Sequence, residues 1–258
     1  MNIKVSHPEQ LGYAIIACLF VATIIALAIL DPIPQELHYH DFPDQNALSF
    51  VPNWLNVLSN LPFLFVGFLG LRWFLHTENV GRKPINVNAY KLLFLGITLV
   101  GLGSGYYHWA PDNASLVWDR LPMTLAFMSL VSIVITEFVS VRWGRALLFP
   151  LILFGAATVI YWSFTEQQGE GDLRPYVFVQ FFPMLAIPVL LLCFKSEYKI
   201  DGYWWLMFWY LIAKVLEHFD AEIFSTLGWV SGHSLKHVAA AMGTYALLRS
   251  YQRCQRKT

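Results

Sequence analysis

The sequence predicts an all-α integral membrane protein with eight membrane-spanning helices. Of its 258 residues, 57% are hydrophobic and only 13% are charged, whereas a soluble globular domain carries about 25% charged residues. Several apolar runs approach the ~20 residues that a helix needs to cross a bilayer. Pro, Gly, Asn and Asp interrupt these runs at short intervals. We therefore expect residues 1–258 to form a single transmembrane domain.

The first apolar run, LGYAIIACLFVATIIALAIL, covers residues 11–30. Its 20 residues exceed the ~7–15 residues of the apolar core in a cleavable signal peptide. This run therefore predicts a membrane helix that the mature chain retains. The connections between spans include DPIP, RKPINVN, APDN and GEGD. The seven further spans are predicted at 54–75, 90–109, 115–139, 145–164, 174–194, 203–224 and 231–250.

Charged residues are divided unevenly between the connections, and this division predicts the orientation in the membrane. One set of connections contains the basic residues Lys4, Arg82, Lys83, Arg142, Lys195, Lys199, Arg253, Arg256 and Lys257. The opposite set contains the acidic residues Asp31, Glu36, Asp41, Asp44, Glu166, Glu170 and Asp172. Because cytoplasmic loops are rich in Lys and Arg, we expect both termini in the cytoplasm. Without a recognisable targeting tail, a bacterial inner membrane is predicted, with the acidic loops in the periplasm.

The composition also predicts what this protein binds. The zero net charge argues against nucleic acid, which requires a basic face. No protein partner is predicted. The bilayer itself and a small molecule dissolved in it are the expected partners.

Polar side chains occur inside the predicted spans, where a charge costs at least ~2.5–3.5 kcal/mol and therefore marks a candidate functional site. In GSGYYHW, Ser104 and His108 are four residues apart and share one helix face. In SGHSLKHVAAAMG, His233 and His237 have the same spacing. Asp119, in VWDRLPM, falls at the same end of the predicted bundle. The sequence thus gathers a serine, three histidines and a carboxylate at similar depth.

This set of residues suits a catalytic zinc site. Three neutral imidazoles leave the fourth position of a zinc ion open for water, and the bound water can attack a carbonyl. Asp119 would take up the proton and pass it to the leaving group. Ser104 would donate a hydrogen bond to the developing oxyanion. The residues therefore predict a metal-dependent hydrolase.

Three other interpretations of the histidines remain. Each histidine alone is more often an ordinary packing residue near the membrane interface. Facing histidines also ligate haem. A transporter with incidental histidines is a further alternative, although no inverted repeat is visible in the sequence. The combination with Asp119 and Ser104 favours the metal.

The order Ser-x3-His, Asp, His-x3-His resembles the membrane hydrolase superfamily of alkaline ceramidases, progestin and adiponectin receptors and Per1-like proteins. The alkaline ceramidases are the most similar, because DRLPM follows SGYYH after a short interval and NWLNVLSNLPFL at 53–64 resembles their first core helix. The resemblance covers residues 41–250. It implies a seven-helix core there, with the helix at 11–30 as an N-terminal addition.

The resemblance implies that His108, His233 and His237 bind zinc, with Asp119 as the acid–base residue and Ser104 on the oxyanion side. Asp220 would interact with a zinc-binding histidine on the side of the ring away from the metal. The implied reaction is hydrolysis of the amide of ceramide, taken from the bilayer. Two alternatives remain: hydrolysis of another lipid amide or ester, and a receptor-like lipid-binding protein that retains the zinc site.

The family also holds a calcium ion with an acidic segment just before its first core helix. In this chain DFPDQN stands at that place, and oxygen ligands of this kind suit Ca²⁺. The implied ligands are Asp41, the carbonyl of Phe42, Asp44, Asn46 and Asn53, where Asn53 replaces a glutamate of the family. An acidic, solvated loop without calcium is the alternative.

The seventh predicted span, with AKVLEHFDAEIF, carries an unusual density of charge. Helical spacing would place Lys214, His218 and Glu222 on one face, with Glu217 and Asp220 beside it. Internal ion pairs that steady the bundle and support of the metal site are both compatible with this pattern.

Overall fold

The structure, a computed structural model, describes residues 6–76, 85–196 and 200–255. Within these ranges the chain is helical and contains no strand, apart from an isolated bridge between Leu48 and Val51. The helices are α1 His7–Ile29, α2 Trp54–Leu58, α3 Leu61–His76, α4 Val87–Trp109, α5 Asn113–Val134, α6 Val141–Gln167, α7 Arg174–Cys193, α8 Asp201–His218, α9 Asp220–Leu227 and α10 Gly232–Gln255. A 3-10 helix covers Leu37–His40, and a π-helix extends α5 over Ile135–Val139.

The predicted all-α membrane fold is confirmed. Among the residues that the structure describes, six segments are long and apolar enough to cross a membrane: His7–Ile29, Trp54–His76, Val87–Trp109, Asn113–Val139, Val141–Gln167 and Arg174–Cys193. In α1 only Gly12 is buried, so its apolar side chains face outward, as they do in contact with lipid. The remaining two predicted spans form α8 and α10, which are more polar helices. That these two also cross the membrane stays a prediction.

Part of the orientation prediction concerns residues that the structure does not describe. Arg142, Lys195 and Arg253 are within the described ranges. The basic residues outside the described ranges are Lys4, Arg82, Lys83, Lys199, Arg256 and Lys257.

The predicted span 54–75 is interrupted between α2 and α3. Pro62 has no N–H to donate to the preceding turn, so the helical hydrogen-bond ladder is broken there. The side chain of Asn60 donates to the carbonyl of Asn56 at 2.8 Å and competes with the backbone for that acceptor. The predicted span is confirmed as Trp54–His76, and two helices together make it up.

The predicted span 203–224 is interrupted as well. Phe219, with ψ at 28°, separates α8 from α9. The prediction that Lys214, His218 and Glu222 share one helix face is wrong for Glu222, which lies on α9. The break turns Asp220 towards α10, where its carboxylate accepts a backbone N–H at 2.7 Å.

The helices pack as a bundle around a central cavity. Helix α4 packs between α3 and α5, α10 packs against α8 and α3, and α7 packs against α5 and α6. Helix α1 packs on the outside of α7. The cavity is lined by α3, α4, α5, α7, α8 and α10, and by Tyr39 of the 3-10 helix.

Helices α4 and α5 approach each other unusually closely at Gly103. A Cβ atom built on Gly103 would lie 1.9 Å from the carbonyl oxygen of Trp118, so any larger residue would force the helices apart. In a regular helix residue 122 would donate its N–H to the Trp118 carbonyl, but Pro122 has none. The Trp118 carbonyl is therefore not used within α5 and faces Gly103 of α4. Since Ser104 and Asp119 are the next residues of the two helices, this contact brings them together.

Two connections meet at the end of the bundle that holds the acidic loops. The backbone N–H of Gln35 donates to Glu166 at 3.0 Å. The Arg174 guanidinium donates to both carboxylate oxygens of Asp172, at 2.8 and 2.9 Å, and to the carbonyl of Leu30 at 2.6 Å. These hydrogen bonds from Arg174 lower the pKa of the Asp172 carboxyl. The ion pair therefore ties the end of α1 to the start of α7.

We expect Asp172→Asn to destabilise the protein by about 1 kcal/mol at pH 7, because it removes a charge-assisted contact. Because the folded-state pKa of Asp172 is depressed, its contribution is fully present above the unfolded value of about 3.9 and is lost as the pH falls through the lower folded-state value. Thermal unfolding in detergent at pH 7 and pH 3 measures the difference. Glu170→Gln, in the same loop but exposed, is the control. A difference between wild type and Asp172→Asn that is as large at pH 3 as at pH 7 would contradict this account.

Candidate metal centre and adjoining cavity

Three buried histidines converge on one point. His108 lies in the last turn of α4, and His233 and His237 lie one turn apart at the start of α10. Ligand nitrogens of all three lie within 4.8 Å of one another, and this group could hold a metal ion. The Nε2 atoms of His108 and His233 are 3.2 Å apart. Two nitrogens bound to one tetrahedral zinc at ~2.0–2.1 Å are separated by roughly 3.3 Å, so this spacing fits a shared ion.

Ser59 determines which nitrogen of His237 is free. The Ser59 hydroxyl donates its single proton to the carbonyl of Asn56 at 3.0 Å. Its oxygen, 2.8 Å from Nδ1 of His237, must then accept a proton from that nitrogen. The Nε2 atom of His237 is thereby left with its lone pair free, in the form that binds a metal.

Asp220 stands behind His233. One carboxylate oxygen accepts the backbone N–H of His233 at 2.7 Å, and the other lies 4.0 Å from its Nδ1 atom. A carboxylate on this side favours a proton on Nδ1 and leaves Nε2 free, as in the carboxylate–histidine–metal arrangement. The structure thus brings Asp220 to the position where the sequence predicts support for a histidine ligand.

His108 is held by its backbone and by an aromatic ring. Its carbonyl accepts a hydrogen bond from the Asn53 side chain at 3.0 Å. The ring of Phe42 lies 4.7 Å from the ring of His108 and 4.8 Å from that of His233. Within the described part of the chain, Nδ1 of His108 has no hydrogen-bond partner. The segment before α2 therefore closes one side of the cluster.

Ser104 and Asp119 are brought together as the sequence predicts. The Ser104 hydroxyl is hydrogen-bonded to the Asp119 carboxyl. Both residues line the same cavity as His237. The predicted serine and carboxylate therefore adjoin the histidine cluster across one shared space.

This cavity has a volume of about 320 Å³. One part of its wall is apolar and is formed by Phe63, Val100, Met123, Leu173, Val177 and Ala240. Another part is charged and contains Arg120, Lys214, Glu217 and Lys236. A cavity with both kinds of wall suits an amphiphilic molecule.

The charged wall is built around Glu217. Its carboxylate lies 2.5 Å from the ammonium group of Lys214 and 2.6 Å from that of Lys236. The ion pairs considered for the seventh span therefore exist, and they lie at the cavity. Lys236 completes them from α10, between two of the histidines.

Sequence reasoning missed three residues of this region: Ser59, Arg120 and Lys236. A lysine between two histidines of a predicted span, and an arginine directly after Asp119, are themselves costly charges in a membrane segment. The same rule that singled out Asp119 would have found both. Nothing in the local sequence marks Ser59, which meets its histidine only through tertiary packing.

The acidic segment before α2 is partly buried. Asp44 is 1% exposed, one of its carboxylate oxygens accepts the N–H of Asn46 at 3.1 Å, and the other has no partner among the described residues. Asp41 is exposed and lies 3.3 Å from His38. Asn53 has a left-handed φ of 46° and directs its amide to α4. The calcium site stays a prediction, with Asp44 as its best-placed ligand.

Comparison with known proteins gives one family. The family model described as Ceramidase matches residues 44–258. The match includes every residue of the histidine cluster, together with Ser104, Asp119 and Asp220. None of the curated proteins compared with the chain matches it.

We expect Ser59→Ala to weaken metal binding, since it removes the acceptor that fixes the His237 imidazole. Loss of such an outer contact costs about 10–100-fold in metal affinity. Competition with a chromophoric chelator for Zn²⁺ measures the change. Ser250→Ala is the control, because Ser250 is also buried but pairs with Asp201 at the other end of α10. Equal affinity for Zn²⁺ in Ser59→Ala and wild type would show that Ser59 does not orient the ligand.

Proposed function

The chain belongs to the ceramidase family, and from this membership we propose that it is a zinc-dependent hydrolase of the amide bond in ceramide or a related N-acyl lipid. Family membership supports hydrolysis of a lipid amide in a membrane. The observation that carries the finer proposal is the buried histidine cluster, which adjoins a cavity containing Ser104 and Asp119.

The donor set fits zinc. Three imidazoles and no thiolate or carboxylate lie in the cluster, which matches the three-histidine ligand set of catalytic zinc sites. Convergence of all three on one point favours a single ion over haem, whose axial ligands approach from opposite faces. Bound by His108, His233 and His237, zinc would supply Lewis acidity at the amide carbonyl and an activated water.

The remaining steps fall to this chain's own side chains. Asp119 takes the proton from the attacking water and delivers it to the amide nitrogen as the carbon–nitrogen bond breaks. Ser104, released from Asp119 when substrate enters, donates a hydrogen bond to the carbonyl oxygen as negative charge develops there. The water oxygen stays on the acyl carbon, so the products are a fatty acid and an amine.

The cavity lies between α7 and α8, which are not among the closely packed helix pairs of the described chain. A lipid would enter here sideways from the bilayer, with its acyl chain along the apolar wall. The proposed setting is a bacterial inner membrane with both termini in the cytoplasm and the site towards the periplasm. In this proposal α1 is an addition to a seven-helix core, and residues 1–258 form one domain.

We further propose that calcium binds beside Asp44. Its buried, unpartnered carboxylate oxygen supports a cation there, since an isolated buried charge is costly. Asp41, the carbonyl of Phe42, Asn46 and Asn53 are the other proposed ligands.

The first prediction of this proposal concerns zinc and turnover together. Wild-type protein purified in detergent should contain zinc and release fatty acid from a short-chain ceramide. We expect His237→Ala to lose both the metal and the activity. Asp119→Asn should retain the metal but lose about 100-fold or more in kcat, because it lacks a proton acceptor.

Asp201→Asn, at the far end of α8, is the control and should behave as wild type. Zinc without turnover on any lipid amide or ester would favour the receptor-like alternative. Absence of zinc from wild-type protein, under conditions that retain bound metal, would overturn the mechanism.

The second prediction concerns calcium. Added Ca²⁺ should raise the Tm of wild-type protein by several degrees, because a ligand that binds only the folded state stabilises it. Asp44→Asn should abolish this shift, while Asp31→Asn, in an exposed part of the acidic loops, should keep it. An unchanged Tm in wild type at millimolar Ca²⁺ would identify the segment as a solvated acidic loop.

A further inference from the structure

A second cavity lies at the end of the bundle opposite to the histidine cluster. It has a volume of about 490 Å³ and is formed by the last turns of α3 and α10, and its lining includes Arg72, His76 and Arg249. We call it the basic groove. On α10, Arg249 follows His237 by 12 residues, which is roughly 18 Å along a helix axis. The basic groove shares no described lining residue with the cavity beside the histidines, so the two are separate.

The charge of the basic groove is all of one sign. Its described lining contains two arginines and one histidine but no aspartate or glutamate. Arg249 donates to the side-chain oxygen of Gln252 at 3.1 Å, and this partner is neutral. The carboxylate of Asp201 lies on the α8 side of α10, where it accepts a hydrogen bond from Ser250 at 2.9 Å. Because a guanidinium stays protonated, the groove holds at least two positive charges without an anion in its described lining.

The basic groove also has an apolar wall, which lies deeper along the helices. Leu69, Trp73 and Leu248 belong to its lining. Arg72 is four residues from the end of the membrane span Trp54–His76, or roughly 6 Å along the axis. A long basic side chain at that depth reaches the level of the lipid head groups. Tryptophan is enriched at the same level. The groove therefore runs from the head-group region towards the lipid chains.

A phospholipid matches both parts of the groove. Its phosphate accepts charge-assisted hydrogen bonds from two guanidinium groups, and an acyl chain covers the apolar wall. A free phosphate ion would use the basic part alone. In a zwitterionic lipid, the ammonium group would be repelled by the positive charge that remains, so a lipid of net negative charge fits better. The proposed orientation places this end at the cytoplasmic leaflet, which carries the anionic lipids.

We propose that the basic groove binds a phospholipid of net negative charge. The phosphate lies between Arg72 and Arg249, and an acyl chain lies against Leu69 and Leu248. Bound in this way, the lipid bridges α3 and α10 and stabilises their packing. The proposal concerns a site apart from the histidine cluster and depends on neither the metal nor the reaction.

Binding is measured on full-length protein in a neutral detergent, after removal of copurified lipid. The ligands are dioleoyl phosphatidylglycerol and dioleoyl phosphatidylcholine, which share their acyl chains and phosphate but differ in net charge. Native mass spectrometry gives the Kd of the first bound lipid of each kind. Thermal unfolding with each lipid, and with inorganic phosphate at the same concentration, shows which ligand stabilises the fold.

For wild type we expect phosphatidylglycerol to bind at least about tenfold more tightly than phosphatidylcholine, because two basic residues near its head group contribute to the attraction. The double variant Arg72→Gln, Arg249→Gln should reduce this ratio to near one. Arg253→Gln is the control and should keep the wild-type ratio, since Arg253 is an exposed residue of the same helix outside the groove. Arg72→Gln alone changes an exposed side chain and should lower the ratio about fivefold. It serves if the double variant does not fold.

A ratio near one in wild type, or a high ratio that survives in the double variant, overturns the proposal. An increase in Tm that inorganic phosphate produces as well as phosphatidylglycerol would assign the groove to a soluble anion and also overturn it. A wild-type preference that falls only when the groove arginines are replaced supports the lipid site. Neither zinc content nor turnover is measured here, so failure of this test is distinct from failure of the proposed reaction.

Discussion

Hydrocarbon offers no hydrogen bonds, so each polar group inside a membrane bundle must find its partner within the protein. This constraint governs the histidine cluster. Each of the three histidines is held by a side chain from another element. Ser59, between α2 and α3, meets the imidazole of His237, whereas Asp220, at the start of α9, and Asn53, before α2, bind the backbone of His233 and His108. All three stand where a helix starts or breaks, because only there does the backbone leave room for a side chain from another helix to reach in.

The helix breaks are therefore part of the site. Pro62 and the Asn60 side chain end α2 and leave Ser59 beside α10. The turn at Phe219 ends α8 before Asp220, so the Asp220 carboxylate can accept the backbone N–H of His233. In α5 a helical hydrogen bond is missing although the helix continues, because Pro122 cannot donate to the Trp118 carbonyl. That carbonyl packs against Gly103, and this contact places Ser104 beside Asp119. Local disruption of regular helices places the functional groups.

The sequence could predict residues that follow local helical spacing, but it could not predict contacts that depend on how separate helices meet. The histidines, Ser104 and Asp119 follow helical spacing inside apolar runs, so the cost of burying them and the period of the helix together indicate their common location. The partners of those residues depend on how separate helices meet, which no local pattern encodes. The error at Glu222 has this origin: the charge pattern of 214–222 fits a continuous helix, and only the contact of Asp220 with α10 shows why the helix stops. Lys236 and Arg120 were predictable by the rule already in use, since both are charges within a predicted span.

The charge of the cavity bears on the direction of the proposed reaction. Hydrolysis of an amide converts a neutral group into a carboxylate and an amine, and near neutral pH these carry opposite charges. With three cations and two anions in its described lining, the cavity would attract the carboxylate and repel a protonated amine by the same field. In the proposed reaction the charged wall would therefore favour departure of the amine, while the fatty acid would leave along the apolar side towards the bilayer.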